Sequence, residues 1–172
     1  MIKLISDNKL LYNTLSNYLL QKNLLLSDNN YQVLIEIKDK ENVINLNING
    51  HITAIPLPID INFVSSTILK KIIDINFPIA DHKYFPYQRV ICIKNKKSLL
   101  SDIQNLIISN LIINQKGIEK DHLYNLIWKR DKLVHINKLD THLTNLKKKL
   151  KQELDLKINF QSQNKTLRLL ID

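Results

Sequence analysis

A chain of 172 residues with 44% hydrophobic side chains can build one large or two small packed domains, which excludes wholesale disorder. Its formal net charge of +9 is unevenly spread: residues 1–85 hold eight lysines, no arginine and eight acidic residues, whereas residues 86–172 hold 17 basic and eight acidic ones. A neutral half joined to a basic half is the footprint of a polyanion-binding module attached to a partner module.

The chain opens with a short strand candidate, Ile2 to Ile5, ending at Ser6-Asp7. A helix is expected from about Asn8 to Gln21, because Leu11, Leu15, Tyr18 and Leu19 share one face. Tyr31 to Ile37 reads as a strand, and Val43–Ile48 and His51–Ile55 read as two more around Asn49-Gly50, a strong hairpin signal. Asp60 or Asn62 can cap a further helix over about Phe63 to Ile73, with Val64, Ile68 and Ile72 on one face. A strand followed by a helix, with an acid at the strand's end, resembles the opening of a receiver domain. The resemblance implies an acidic pair for Mg²⁺, a phosphoacceptor aspartate and a Lys-Pro strand end. Here only Asp7 stands for the pair, Glu36 and Ile37 are nearest the phosphoacceptor position and neither can form an aspartyl phosphate, and Leu57 replaces the lysine. Residues 1–78 are therefore read as a reduced receiver-like α/β domain with a mixed sheet, or as a small unrelated α/β module. Either form suits dimerisation or sensing better than phosphotransfer.

Residues 74 to 83, with Pro78, read as a linker, and residues 79–172 as the second domain. Two or three short strands fit Tyr84 to Ile93, and Cys92 is expected in their core. Ser101 or Asp102 can cap a helix to about Asn114 with Ile103, Leu106, Ile107 and Leu111 as its buried stripe. A second helix runs from about Ile118 to Trp128, packing Leu123, Leu126, Ile127 and Trp128. The connection Lys129–Ile136, KRDKLVHI, offers Lys129, Arg130 and Lys132 to phosphate, offers Leu133 and Val134 to a protein, or is merely solvated.

The run Asn137 to Leu150, NKLDTHLTNLKKKL, is the most informative of the chain. Leu139, Leu143, Leu146 and Leu150 make one apolar helix face, leaving Lys138, Thr141, His142, Asn145, Lys148 and Lys149 on the other. Periodicity alone favours a solvated surface helix; short polar groups and cations on that face also suit a major groove. Lys157–Phe160 and Thr166–Leu170 then read as two strands around Gln161–Lys165. Trp128, a loop and LDTHLTNLKKKL resemble the winged-helix DNA-binding domain of OmpR/PhoB-type response regulators, over roughly Tyr84 to Asp172. Lys147 stands for the usual arginine, Asn145 for an often base-reading arginine, and Thr166-Leu167-Arg168-Leu169 for a Gly-Tyr-Arg-Leu-like run.

That resemblance implies an α+β winged helix-turn-helix domain and double-stranded DNA as partner. Thr141 and Asn145 would meet base edges; Lys138, His142, Lys148, Lys149, Lys165 and Arg168 would meet the backbone. A homodimer is expected, since one helix reads few base pairs, and in the family the loop after Trp128 can touch RNA polymerase. The five histidines and single cysteine form no ligand spacing, and two glycines leave little room for a phosphate-cradling loop or nucleophile elbow. No metal, cofactor or enzymatic activity is expected. One cysteine allows no intrachain disulfide, and no apolar run is long enough to span a bilayer, so a cytoplasmic protein without membrane attachment is expected. The expectation is a sequence-specific, phosphorylation-independent transcriptional regulator; the alternative is a winged helix that binds only proteins.

Overall fold

The computed structural model describes residues 2–21, 26, 31, 33–40, 43–56, 58, 60–128 and 137–171, divided into two units at Asp74 and Ile75. In the first unit β1 (Ile2–Ser6) leads through α1 (Lys9–Gln21) to β2 (Val33–Lys40), β3 (Val43–Ile48), β4 (His51–Pro56) and α2 (Ile61–Ile72). The sheet order is β1-β2-β3-β4, with β1 and β2 parallel and the other two pairings antiparallel. The expected mixed sheet is thus observed, and it departs from the parallel doubly wound pattern after its first βαβ unit.

Local chemistry accounts for these elements. Asn8 Oδ1 accepts from Leu11 N–H at 3.1 Å and Asp60 Oδ1 from Asn62 N–H at 2.8 Å, so each helix starts on a short polar cap. Asn49 (φ 49) and Gly50 (φ 89) supply the two positive dihedrals of a tight hairpin, and Asn47 Oδ1 accepts from Gly50 N–H at 2.9 Å. Ile35, Ile37, Ile44, Leu46 and Ile55 of the strands and Leu15, Leu19, Val64 and Ile68 of the helices are buried as the unit's core. Glu36 projects from the other face and accepts from Asn47 Nδ2 at 2.9 Å, while Ile37 is buried and Asp7 is exposed. Leu57 lies outside the described residues.

The second unit begins with an antiparallel meander, β5 (Phe77–Ile79), β6 (His82–Phe85), β7 (Val90–Ile93) and β8 (Lys96–Leu99). The stretch read as a linker therefore holds β5 and the start of β6: β5 is an edge strand, where a proline such as Pro78 costs no ladder bond. Then follow α3 (Asp102–Ile113), β9 (Ile118–Glu119), α4 (Lys120–Trp128), α5 (Asn137–Leu154), β10 (Ile158–Gln163) and β11 (Thr166–Ile171). The last sheet runs β10-β11-β9. Ser101 caps α3 in a full capping box with Gln104.

Several burial expectations shift. In α3 the inner face is Ile107, Ile108 and Leu111 with Asn105 and Asn110, and Ile103 and Leu106 are half-buried. Asn105 is inside because its amide is satisfied: Oδ1 accepts from the Tyr84 hydroxyl at 2.6 Å and Nδ2 donates to the Pro86 carbonyl at 3.1 Å. Burial pushes the Tyr84 hydroxyl well above its ordinary pKa, so it remains a donor. Leu126 is exposed, and Cys92 is half-buried because strand alternation gives the inner face of β7 to Ile91. Among the described residues, no helix is long and apolar enough to cross a membrane.

Gly117 (φ 104) leaves no room for a side chain, since an added Cβ would lie 2.4 Å from Thr166 Cγ2 and 2.8 Å from Arg168 Cγ. At Gly50 nothing lies within 4 Å of that position, so only the dihedral resists substitution. Gly50→Ala should cost about 1 kcal/mol from the left-handed backbone alone, and Gly117→Ala about 2 kcal/mol or more from backbone plus overpacking. Chemical denaturation checks this, with the fluorescence of Trp128 reporting the second unit and far-ultraviolet circular dichroism both.

Candidate nucleic-acid interface

The polar face of α5 is set by its apolar one. Leu139, Leu143, Leu146, Leu150 and Leu154 are each at most 5% exposed and belong to one core with Ile107, Leu123, Ile158 and Leu167. Leu154 extends the helix a turn beyond the expected Leu150. Asp155, at φ 55, then ends it, donating its N–H to the Lys151 carbonyl at 3.0 Å. His82 Nε2 lies 3.2 Å from the Leu154 carbonyl, one of the end groups the helix itself leaves unpaired.

Opposite the leucines, Thr141, Asn145 and Lys148 are exposed, as is Thr144. Asp140, Thr141, Thr144 and Asn145 together line an open depression on the helix surface. Thr144 was not among the residues singled out from sequence; its place three residues after Thr141 on the same helical face was the available signal.

The remaining expected contacts are distributed around this centre in different states. Lys138 Nζ lies 5.2 Å from the Trp128 ring centroid, a cation–π contact, and the His142 ring is 5.8 Å from the same indole. Trp128, the last residue of α4, also stacks with Tyr124 at 4.6 Å. Desolvation, and secondarily the Lys138 charge, hold the His142 pKa below its ordinary 6.5. At neutral pH its imidazole therefore offers a phosphate a hydrogen bond without a full charge. Lys149 donates to the Leu99 carbonyl at the end of β8 and sits 4.0 Å from Glu153, so its ammonium is engaged within the domain. Lys147 likewise bonds Asn159 Oδ1 on β10. Lys148 forms no ion pair among the described residues.

The β10–β11 hairpin is tighter than the sequence led us to expect. Residues 161–163 continue β10, pairing Gln161 with Arg168 and Gln163 with Thr166, so the turn is only Asn164-Lys165, at φ 49 and 62. Both dihedrals match the turns that suit the twist of a hairpin. Lys165 and Arg168 are exposed. The Lys165 carbonyl accepts from Lys120 N–H at 2.9 Å, while the Lys120 ammonium reaches Asp140 of α5 at 3.3 Å. One residue of α4 thus touches both the β10–β11 turn and the first turn of α5. The loop residues Lys129, Arg130, Lys132, Leu133 and Val134 lie outside the described residues. No group of three or more His, Cys, Asp or Glu side chains that could hold a metal gathers among the described residues.

No protein-family model matches the chain, and no curated protein matches it either. Among solved structures, the C-terminal domain of the nisin resistance regulator NsrR, a lantibiotic response regulator, is similar at 20% identity and a TM-score of 0.42, over 53% of this chain and 93% of that one.

The contacts of His142 generate a titration prediction. Its imidazole should titrate below 6.5 in the folded protein, and Lys138→Ala should move the midpoint upward, because a like charge is removed. Nuclear magnetic resonance of the ring protons against pH measures both; a midpoint indifferent to Lys138 would leave desolvation as the whole cause.

Proposed function

We propose that the chain is a sequence-specific DNA-binding transcriptional regulator whose α5 enters the major groove. The observation that carries this reading is one helix with a buried five-leucine face and an exposed Thr141, Thr144, Asn145 and Lys148 face. It lies in the unit that holds all the net charge: the seven lysines and seven acids of residues 1–74 cancel, leaving +9 for residues 75–172. An asparagine amide can pair bidentately with adenine, and a threonine methyl can pack on thymine. Lys148, Lys165 and Arg168 are assigned to the backbone, where they position without specifying. Lys138 and His142 would approach it from the Trp128 flank, and Lys149 only after leaving the Leu99 carbonyl.

The chain is proposed to work as an OmpR/PhoB-like winged helix-turn-helix protein in the cytoplasm, as a homodimer, with no enzymatic activity or cofactor. Its receiver-like first unit would serve dimerisation or sensing independently of phosphorylation, since Glu36 and Ile37 bring no aspartate to the phosphoacceptor place and Asp7 alone stands for the acidic pair. Contact with RNA polymerase is proposed for the loop after Trp128. A winged helix that binds only proteins is the second reading, favoured by the engagement of Lys138, Lys147 and Lys149 inside the domain.

Selection of sites from random duplex DNA by the full-length chain, at near-physiological salt, separates the two. An enriched motif, repeated at about one helical turn, supports the dimeric regulator; salt-labile binding without enrichment supports the protein-binding reading. On the selected site, Asn145→Ala should relax preference at one position by ~1–3 kcal/mol. Lys148→Ala should instead weaken all sequences alike and lower the salt slope by about one unit.

A further inference from the structure

Resting on the homodimer of the reading above, we infer that two copies of the chain join through the open edge of β4, their first-unit sheets continuing into one across a two-fold axis. The hairpin before β4 fixes which way its backbone points. With Asn49-Gly50 as the turn, Ile48 and His51 form the closing pair, and hydrogen bonding to β3 then alternates along the strand. His51, Thr53 and Ile55 bond across the ladder. Ile52, Ala54 and Pro56 direct their backbone groups away from β3, and all three residues are exposed, Ile52 by 70%. No other described backbone group bonds them. Pro56 stands where an N–H would also have pointed outward, so it costs the ladder nothing.

Edge strands are ordinarily kept from pairing by lysine, proline or a covering segment. The edges β5, β8 and β1 follow that rule: β5 has Pro78 at its middle, β8 has Lys96 and Lys97, and β1 bridges to Leu26 at Ile2. In β4, HITAIP, no side chain is acidic or a lysine, and the proline comes only at the end. Charge selects the occupant. An uncharged strand offers nothing to a strongly charged partner, whereas a second copy meets it with no like charges opposed. The second units, each carrying +9, repel one another, so contact between copies falls to the neutral first unit. The strand is also its own complement. With Thr53 facing the partner's Thr53, Ile52 falls opposite the partner's Ala54, and each donates its N–H to the other's carbonyl. Beside alanine the isoleucine has room. Sliding the strands to set Ala54 against the partner's Ala54 would bring Ile52 to the partner's Pro56, which has no N–H to give. Because both copies use the same edge, association closes at the dimer.

Sedimentation of the full-length chain should show a monomer–dimer equilibrium, in the micromolar range because a single strand pair is a small interface. Ala54→Pro removes an N–H that β3 does not use and should weaken dimerisation at least about tenfold, with circular dichroism confirming that the fold persists. Ile52→Lys gives the edge the charge it lacks and should do the same. A third variant reads the register by gain of a bond. Thr53→Cys in a Cys92→Ser chain sets two thiols on residues about 4.5 Å apart at Cα, within disulfide reach, so mild oxidation should link the dimer. Ala54→Cys in the same background should link roughly tenfold more slowly. A chain still monomeric at ~100 μM, or a dimer unmoved by Ala54→Pro and Ile52→Lys, would overturn the β4 interface. Either result alongside an enriched DNA motif would leave the DNA-binding reading intact. Linked dimers with no enriched motif would do the reverse, keeping the interface and removing the DNA-binding reading.

Discussion

The leucine seam of α5 is the constraint on which the rest of the second unit depends. Burying a leucine is worth roughly 1.5–3 kcal/mol, so five of them fix the rotation of the helix about its axis far more firmly than any surface contact can. The exposed ion pair between Lys120 and Asp140, by comparison, is worth about 0–1 kcal/mol. Which residues face outward is therefore decided by the core, and the polar contacts only adjust how those residues are presented. The same seam explains why α5 meets β8, β10 and α3, and why its C-terminal end is held at His82.

Because the seam lies within one element, it was legible from sequence: a spacing of four and three needs no knowledge of what the leucines touch. The Asn49-Gly50 hairpin was legible for the same reason, its signal being carried by two adjacent residues. What escaped was set by partners far along the chain. Asn105 interrupts the apolar stripe of α3 because Tyr84 and Pro86 complete its hydrogen bonds, and nothing near Asn105 announces them. The wing was drawn too wide because Asn164-Lys165 carries no glycine, although both residues adopt left-handed dihedrals. Pro78 read as a breaker, where an edge strand tolerates it.

The candidate site shows the same division. Periodicity placed Thr141, Asn145 and Lys148 on one exposed face, but it could not distinguish a lysine facing solvent from one turned back on the domain. Lys147 and Lys149 flank Lys148 in sequence, yet the first bonds Asn159, twelve residues on, and the second a carbonyl fifty residues back. Such contacts have no period. Lys120 was equally invisible, since its role joins a backbone bond to the wing with a side-chain bond to α5.

That distinction bears on how the net charge of +9 should be understood. A lysine already bonded to a carbonyl or held over an indole must give up that partner before it displaces a counterion from a phosphate. Its contribution to affinity is then the difference between two similar contacts, smaller than that of a cation taken directly from water. Lys148, Lys151, Lys165 and Arg168 form no ion pair among the described residues and stand exposed on α5 and β11 or the turn before it. Screening over about 8 Å at physiological salt would let these near charges count most against a backbone bound at α5, while more remote lysines would act mainly through long-range attraction. If α5 meets DNA as proposed, affinity would be concentrated in these few residues beside its polar face, and the larger total charge would serve the rate of encounter.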